Sequence, residues 1–358
     1  MQKSVTTSAQ RLETLDHLRG FFIIVIIIDH LSRWPSLFAL ITSKALLWVT
    51  AAEGFVAISG LLVGYIRGYK NRELPFKKVA LTLIRRGVLL YIWSLIASIA
   101  YVAIIWYFNP EGGTPSTPME EGAWGEFLPG LITMRYTFVW VHFLTLYAIF
   151  LVVSPVAIWL FRQNLAWVVG VLSLLALALG WTTHNEPLQW QFLFFIPSIV
   201  GFYLVPILNW WKALRRNQQL AVAGSSVGLT IVTIGLSILF TYHAEAFQGF
   251  ADYVNAILFD KESVSLFREM VAFLWFSGFF FVFYKFRRAI SRYLNWLLIP
   301  FGTHSLTAYI LHGVGLLIIS YLSANSENYF VNTLLGFAAV LITWGLIKIP
   351  LVRRIVPA

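Results

Sequence analysis

The chain has 358 residues, of which 59% are hydrophobic and only 12% charged, and its formal net charge is +10 at pH 7. Its mean hydropathy is +0.75. Soluble domains carry about 25% charged residues, so a polytopic membrane protein is predicted. The absence of cysteine excludes disulfides, cysteine–zinc sites and a thiol nucleophile.

Apolar windows of roughly 20 residues, the length that crosses a bilayer as a helix, recur along the chain. They cover 15–34, 45–66, 84–107, 137–161, 164–181, 188–210, 219–241, 270–284, 300–322 and 330–349. The runs are continuous rather than alternating, which favours helices over membrane strands. We therefore predict an all-α polytopic membrane protein of about ten transmembrane helices, forming one domain over residues 1–358.

The distribution of basic residues predicts that both termini are cytoplasmic. In that orientation 21 of the 26 Lys and Arg residues lie at the inner side and five at the outer side. This asymmetry obeys the positive-inside rule. It also accounts for the net charge without a nucleic-acid partner.

Two outer loops, 108–136 and 243–269, are long. Long loops beside a rigid scaffold often carry substrate contacts, and the alternative is that both are solvated connectors. The second loop has the pattern of an amphipathic surface helix.

The first span contains "LDHLRGFFIIVIIIDHL", which keeps Arg19 and His30 in a strongly apolar run. Helical geometry separates them by ~16 Å along the axis and leaves them about 20° apart on nearly the same face. Asp16 is three residues before Arg19 and is its expected partner, whereas Asp29 faces away from His30. The alternative is structural: Arg19 reaches the inner headgroups and His30 satisfies one hydrogen bond.

The second span, "TAAEGFVAISGLLVGYI", places Glu53 at a depth comparable with His30. A carboxylate there can orient the imidazole ring and stabilise imidazolium. A protonated packing group or an ion-coupling site is the alternative. Ser59 is read as a helix-contact hydroxyl with a nucleophile role as the alternative, and Gly60 permits close helix approach.

Other histidines divide by their position along the spans. His142 lies near the outer end of the fourth span and is a candidate to line an acceptor site, and His304 lies near an inner end. His184 and His243 look like surface residues. No histidine pair has the i, i+4 spacing of a zinc site, so no metal is expected.

The residues of the first two spans, "LDHLRG…DHL" followed by "AEGFVAISGLLVGY", resemble the acyltransferase-3 family of ten-helix membrane acyltransferases. Arg19, His30, Glu53, Ser59 and Gly60 fill the places of that family's pattern.

Two later segments extend the resemblance. "FGTHSLTAYILHG" is similar to the family's last-but-one span, with Tyr309 and His312 in the Tyr-x-x-His position. "WVHFLTLYAIFLVVSP" looks closer to the OpgC group, whose members succinylate periplasmic glucans.

The resemblance implies an enzyme of the bacterial cytoplasmic membrane that takes an acyl group from cytoplasmic acyl-CoA and transfers it to a glycan or other envelope acceptor. Acetyl and succinyl both stay open as the acyl group. The family carries a basic cluster after the second span, usually as an Arg-x-x-Arg pair. Here "PFKKVALTLIRRGVLLY" has adjacent arginines instead.

These features assign provisional roles. His30 is the expected general base, with Glu53 and Arg19 completing the catalytic set. Expected donor contacts are Arg19, Lys77, Lys78, Arg85, Arg86 and His304. Expected acceptor contacts are His142, Tyr309, His312 and Ser59. A covalent acyl-histidine relay stays open.

A proton-coupled transporter or translocator is the alternative function. It would use His30, Glu53 and Arg19 as an intramembrane relay. The oligomeric state is not readable from the sequence, because any apolar surface of such a chain faces either lipid or another copy.

Overall fold

The computed structural model describes residues 2–42, 46–108, 114–115, 117, 119–242, 249–259 and 264–356. Every regular element within those ranges is a helix, which confirms the all-α prediction. Parts of both long outer loops, and His243, lie outside the described residues.

The α-helices of the described ranges are numbered in chain order. They are α1 Gln2–Leu31, α2 Ala51–Val63, α3 Phe76–Phe108, α4 Trp124–Ile132, α5 His142–Arg162, α6 Ala166–Thr183, α7 Glu186–Trp190, α8 Phe192–Phe202, α9 Leu204–Ala213, α10 Arg216–Tyr242, α11 Phe250–Tyr253, α12 Leu266–Lys285, α13 Arg287–Tyr293, α14 Asn295–Thr303, α15 Ser305–Leu322, α16 Tyr329–Leu346 and α17 Pro350–Ile355. Short 3₁₀ helices cover Leu37–Ile41 and Val139–Val141, and π-helical turns cover Gly64–Lys70 and Val254–Leu258.

Seven of the described helices are long and apolar enough to cross a membrane, and the segment Glu186–Phe202 with α9, bent by 62°, raises the number to eight. The predicted count of ten is thus reached only in part. Residues 15–31 of the first predicted span lie in α1, whose apolar half keeps Asp16, Arg19 and Asp29. The second is divided between α2, which has 13 residues, and the following π-helical turn. The cytoplasmic placement of the termini stays a prediction.

Helix pairs α1–α14 and α2–α8 pack with their backbones in close contact. A Cβ atom on Gly60 would lie 2.0 Å from the carbonyl oxygen of Phe194. A Cβ atom on Gly302 would lie 1.9 Å from the carbonyl oxygen of Asp16. Only glycine fits at such crossings, so these two contacts fix the depth of the side chains on α1 and α2.

The candidate site lies where α1 meets α15. Among the candidate membrane spans α15 is the most buried and α10 the least. α15 packs against α1, α3 and α16, so a side chain on its inner face is remote from lipid and water. In the second outer loop, the described part of the expected surface helix amounts to α11 and the π-helical turn after it.

Candidate active site

His30 and His312 form a hydrogen-bonded pair between α1 and α15. Nδ1 of His30 lies 2.7 Å from Nε2 of His312. Nδ1 of His312 lies 2.6 Å from the carbonyl oxygen of Tyr309, one turn earlier on its own helix. His312 is fully buried, whereas His30 is half-buried.

The partners of these rings determine where the protons lie. A carbonyl oxygen only accepts hydrogen bonds, so Nδ1 of His312 carries a hydrogen. In neutral His312 the other nitrogen, Nε2, is then an acceptor, and His30 donates to it from Nδ1. The lone pair of neutral His30 is therefore on Nε2, which makes this atom the proton acceptor of the pair.

Aromatic rings surround the two histidines. The Tyr309 ring lies edge-on to His30, with centroids 6.3 Å apart, and stacks against Phe55 on α2. The Trp140 ring is 6.5 Å from His312. Tyr101 of α3 donates a hydrogen bond to the carbonyl oxygen of Ile310, which ties α3 to α15. These contacts hold both histidine rings in an apolar shell.

Glu53 does not contact His30, contrary to the expectation that it orients the ring. Its Oε1 accepts a hydrogen bond of 2.8 Å from Nε of Arg268 and lies 2.5 Å from that guanidinium's Nη2. Its Oε2 accepts from the backbone N–H and hydroxyl of Thr50, which closes a capping box at the start of α2. The carboxylate goes to the arginine because a buried cation without a counter-charge is far costlier than a neutral histidine.

Arg19 lies near the middle of α1, eleven residues before His30. The uninterrupted helix between them keeps the expected separation of ~16 Å. Nη1 of Arg19 lies 3.4 Å from the carbonyl oxygen of Gly302 and 4.0 Å from Oδ1 of Asp16. Arg86 and Tyr147 lie close enough to act electrostatically on the guanidinium.

The other expected donor contacts lie on α3 and at the end of α14. Lys77, Lys78, Arg85 and Arg86 are exposed along α3. His304 is half-buried, with Nδ1 3.0 Å from the Thr303 hydroxyl, two residues after the glycine that contacts Arg19. The structure therefore places Arg86 and the end of α14 beside Arg19.

Two expected acceptor contacts lie apart from the histidine pair. Ser59 is buried and donates its hydroxyl hydrogen to the carbonyl oxygen of Phe55 within α2. His142 contacts Thr137 and Glu186 instead, at the start of α5. Tyr309 and His312, by contrast, lie directly beside His30.

A family model described as "OpgC protein" matches residues 11–350. The chain belongs to the OpgC family. The matched range includes both α1 with His30 and α15 with His312. Comparison with curated proteins found no match, and comparison with solved structures found none.

OpgC membership points to a membrane-associated role related to acyl transfer. It agrees with the likeness of the fourth span to the OpgC group, while the acyltransferase-3 family stays a resemblance. In the part of the chain that the structure describes, no group of three or more His, Asp or Glu side chains could hold a metal ion.

Sequence reasoning about this OpgC-family chain missed two pairings. It placed His312 among acceptor contacts rather than as the partner of His30, although both rings lie in apolar spans and need polar partners. It also counted Arg268 as a loop residue. The ionisable pair Arg268–Glu269 at the start of an apolar run was the available signal, since a buried cation there requires a carboxylate such as Glu53.

Proposed function

We propose that this protein is an integral-membrane O-acyltransferase of the bacterial cytoplasmic membrane. It moves an acetyl or succinyl group from cytoplasmic acyl-CoA to a hydroxyl of an extracytoplasmic glycan or other envelope acceptor. The observation that carries the proposal is the chain of hydrogen bonds from His30 through His312 to the Tyr309 carbonyl, because it leaves a basic nitrogen on His30. The two acyl groups stay equal candidates.

His30 acts as the general base. Its Nε2 takes the proton of the acceptor hydroxyl while the hydroxyl oxygen attacks the thioester carbonyl carbon. The new ester C–O bond forms, the C–S bond breaks, and the proton passes from His30 to the CoA thiolate. His312 accepts the Nδ1–H bond throughout and stabilises the imidazolium that forms between the two transfers.

The cytoplasmic end supports binding of a polyanionic donor. Coenzyme A carries phosphates at one end and a long neutral arm to the thioester. Arg19, Arg86 and the exposed cations of α3 suit the phosphates through charge-assisted hydrogen bonds. The ~16 Å between Arg19 and His30 along α1 suits the extended arm.

The alternative of proton-coupled transport requires His30, Glu53 and Arg19 to act as one relay. Glu53 pairs with Arg268 and Arg19 contacts the Gly302 carbonyl, so these groups are not linked to one another by a direct hydrogen bond. No observation therefore favours transport over acyl transfer.

The test uses the full chain in proteoliposomes, supplied with radiolabelled acetyl-CoA or succinyl-CoA and a neutral gluco-oligosaccharide. We expect label in the oligosaccharide, and weaker binding of CoA when Arg85→Ala and Arg86→Ala are combined. His184→Asn serves as a control substitution away from the candidate site, because His184 is exposed and its backbone φ of 50° suits asparagine. Proton uptake without any acyl transfer would replace the proposal with the transporter.

A further inference from the structure

A second polar cluster, centred on His142, lies at the N-terminal end of α5, at the outer side in the predicted topology. Nδ1 of His142 is 2.6 Å from the hydroxyl oxygen of Thr137, and Nε2 is 2.8 Å from Oε2 of Glu186. The three residues come from the segment before α5, from α5 itself and from the start of α7. Three separate elements thus bring one hydroxyl, one imidazole and one carboxylate together.

The proton positions of this cluster follow from its carboxylate. An ionised carboxylate only accepts, so Nε2 of His142 carries the hydrogen and donates to Glu186. Nδ1 is then the acceptor for the Thr137 hydroxyl. Glu186 keeps further lone pairs, because a carboxylate has about four acceptor positions.

The cluster is open to solvent, unlike the pair at His30. The side chains of His142 and Glu186 are 29% and 41% exposed. Solvent-accessible polar groups exchange bound water for ligand hydroxyls at little cost. A fully buried cluster with a purely structural role would lack this access to solvent.

The cluster is also joined to the catalytic pair. Between Thr137 and His142 the chain forms the 3₁₀ helix Val139–Val141, whose buried Trp140 faces His312 with ring centroids 6.5 Å apart. A ligand held at Thr137 therefore lies next to the segment that forms one wall of the His30 site.

We propose that Thr137 and Glu186, held in place by His142, accept hydrogen bonds from the hydroxyls of a neutral polyhydroxylated acceptor and that Glu186 makes the site disfavour anionic acceptors. This rests on the proposed acyl transfer and names its acceptor class. Hydroxyl-to-carboxylate bonds are short and strong, whereas a carboxylate on the acceptor would be repelled by Glu186. A glycan that has already gained a succinyl group bears such a charge, so the site limits repeated substitution.

The test measures KM for a neutral gluco-oligosaccharide and for its carboxymethylated form at saturating acetyl-CoA. Wild type should prefer the neutral form. Glu186→Gln should raise the KM of the neutral form at least about tenfold, the usual loss for a hydrogen bond to a charged group, and should narrow the preference. Its KM for acetyl-CoA should stay unchanged, which separates a local effect from misfolding. Glu126→Gln, an exposed carboxylate on α4, is the matched control.

Binding of the two oligosaccharides is measured in parallel by thermal shift, independently of transfer. Equal KM and equal thermal shifts in wild type and Glu186→Gln would overturn the acceptor site. That result can coexist with transfer, so it is distinct from failure of the proposed function. Thr137→Val serves as the second variant, and we expect it to weaken the binding of the neutral oligosaccharide only.

Discussion

In the proposed mechanism, His312 takes the part that a carboxylate takes in a hydrolase triad, with a neutral group in place of a charge. Its Nδ1–H is held by the Tyr309 carbonyl, and its Nε2 holds the ring of His30. In an apolar shell a carboxylate would need its own counter-ion. A neutral imidazole anchored on a backbone carbonyl orients the base without that desolvation cost.

The buried ion pair of Glu53 and Arg268 leads to a prediction about stability rather than about catalysis. Both side chains are almost fully buried, at 0% and 1% exposure. Glu53→Gln removes the counter-charge of a buried guanidinium, so we expect a loss of about 3–5 kcal/mol in the free energy of unfolding. Arg268→Met should cost a similar amount. The measurement is thermal or denaturant unfolding in detergent.

The double variant is the control for this pair. With both charges gone, the loss should be clearly smaller than the sum of the two single losses. Additive losses would show that the pair contributes no coupling energy. A Glu53→Gln protein of normal stability but greatly reduced kcat would instead restore Glu53 to the catalytic set.

At the scale of elements, the close contact of α2 with α8 sets the position of Phe55 against Tyr309. The backbones meet at Gly60, where an added Cβ would be 2.0 Å from the Phe194 carbonyl oxygen. Gly60→Ala must separate the helices, and we expect destabilisation of about 1–3 kcal/mol or more together with lower activity. Unfolding and transfer assays measure both effects.

Gly228→Ala is the matched substitution. Gly228 lies within α10 and has no heavy atom within 4 Å of the position of an added Cβ. Its replacement should leave stability unchanged or slightly raised, since alanine favours helix. Equal effects of the two substitutions would contradict the close α2–α8 contact.

Composition and hydropathy predict many of the long helices, because a continuous apolar run long enough to cross a bilayer has few alternatives to a transmembrane helix. They predict α3, α5 and α15 well. They fail on the second span, where a π-helical turn interrupts an apolar run that looks continuous. The partner of His30 escaped prediction for another reason: residues 282 positions apart along the chain meet only through tertiary packing.

At the scale of the whole molecule, the proposed function requires a membrane topology that lets a cytoplasmic donor and an outer acceptor reach the same site. The chain has no cysteine, so single introduced cysteines report their side without background. We expect Glu327→Cys to react with an impermeant maleimide added to intact cells, and Asn217→Cys to react only after permeabilisation. Both positions are exposed. If Asn217→Cys reacted in intact cells and Glu327→Cys only after permeabilisation, the proposed entry of the donor from the cytoplasm would be wrong.

The central claim is that His30 is the base, held by His312. Its most direct test is single-turnover transfer from labelled acyl-CoA to a neutral oligosaccharide by His30→Ala and His312→Ala, with CoA affinity measured on the same preparations. We expect His30→Ala to slow transfer by about 10²–10⁴-fold, the usual contribution of general-base catalysis, and His312→Ala to slow it to a lesser extent. CoA affinity should be retained in both. Transfer at the wild-type rate by His30→Ala would contradict the account.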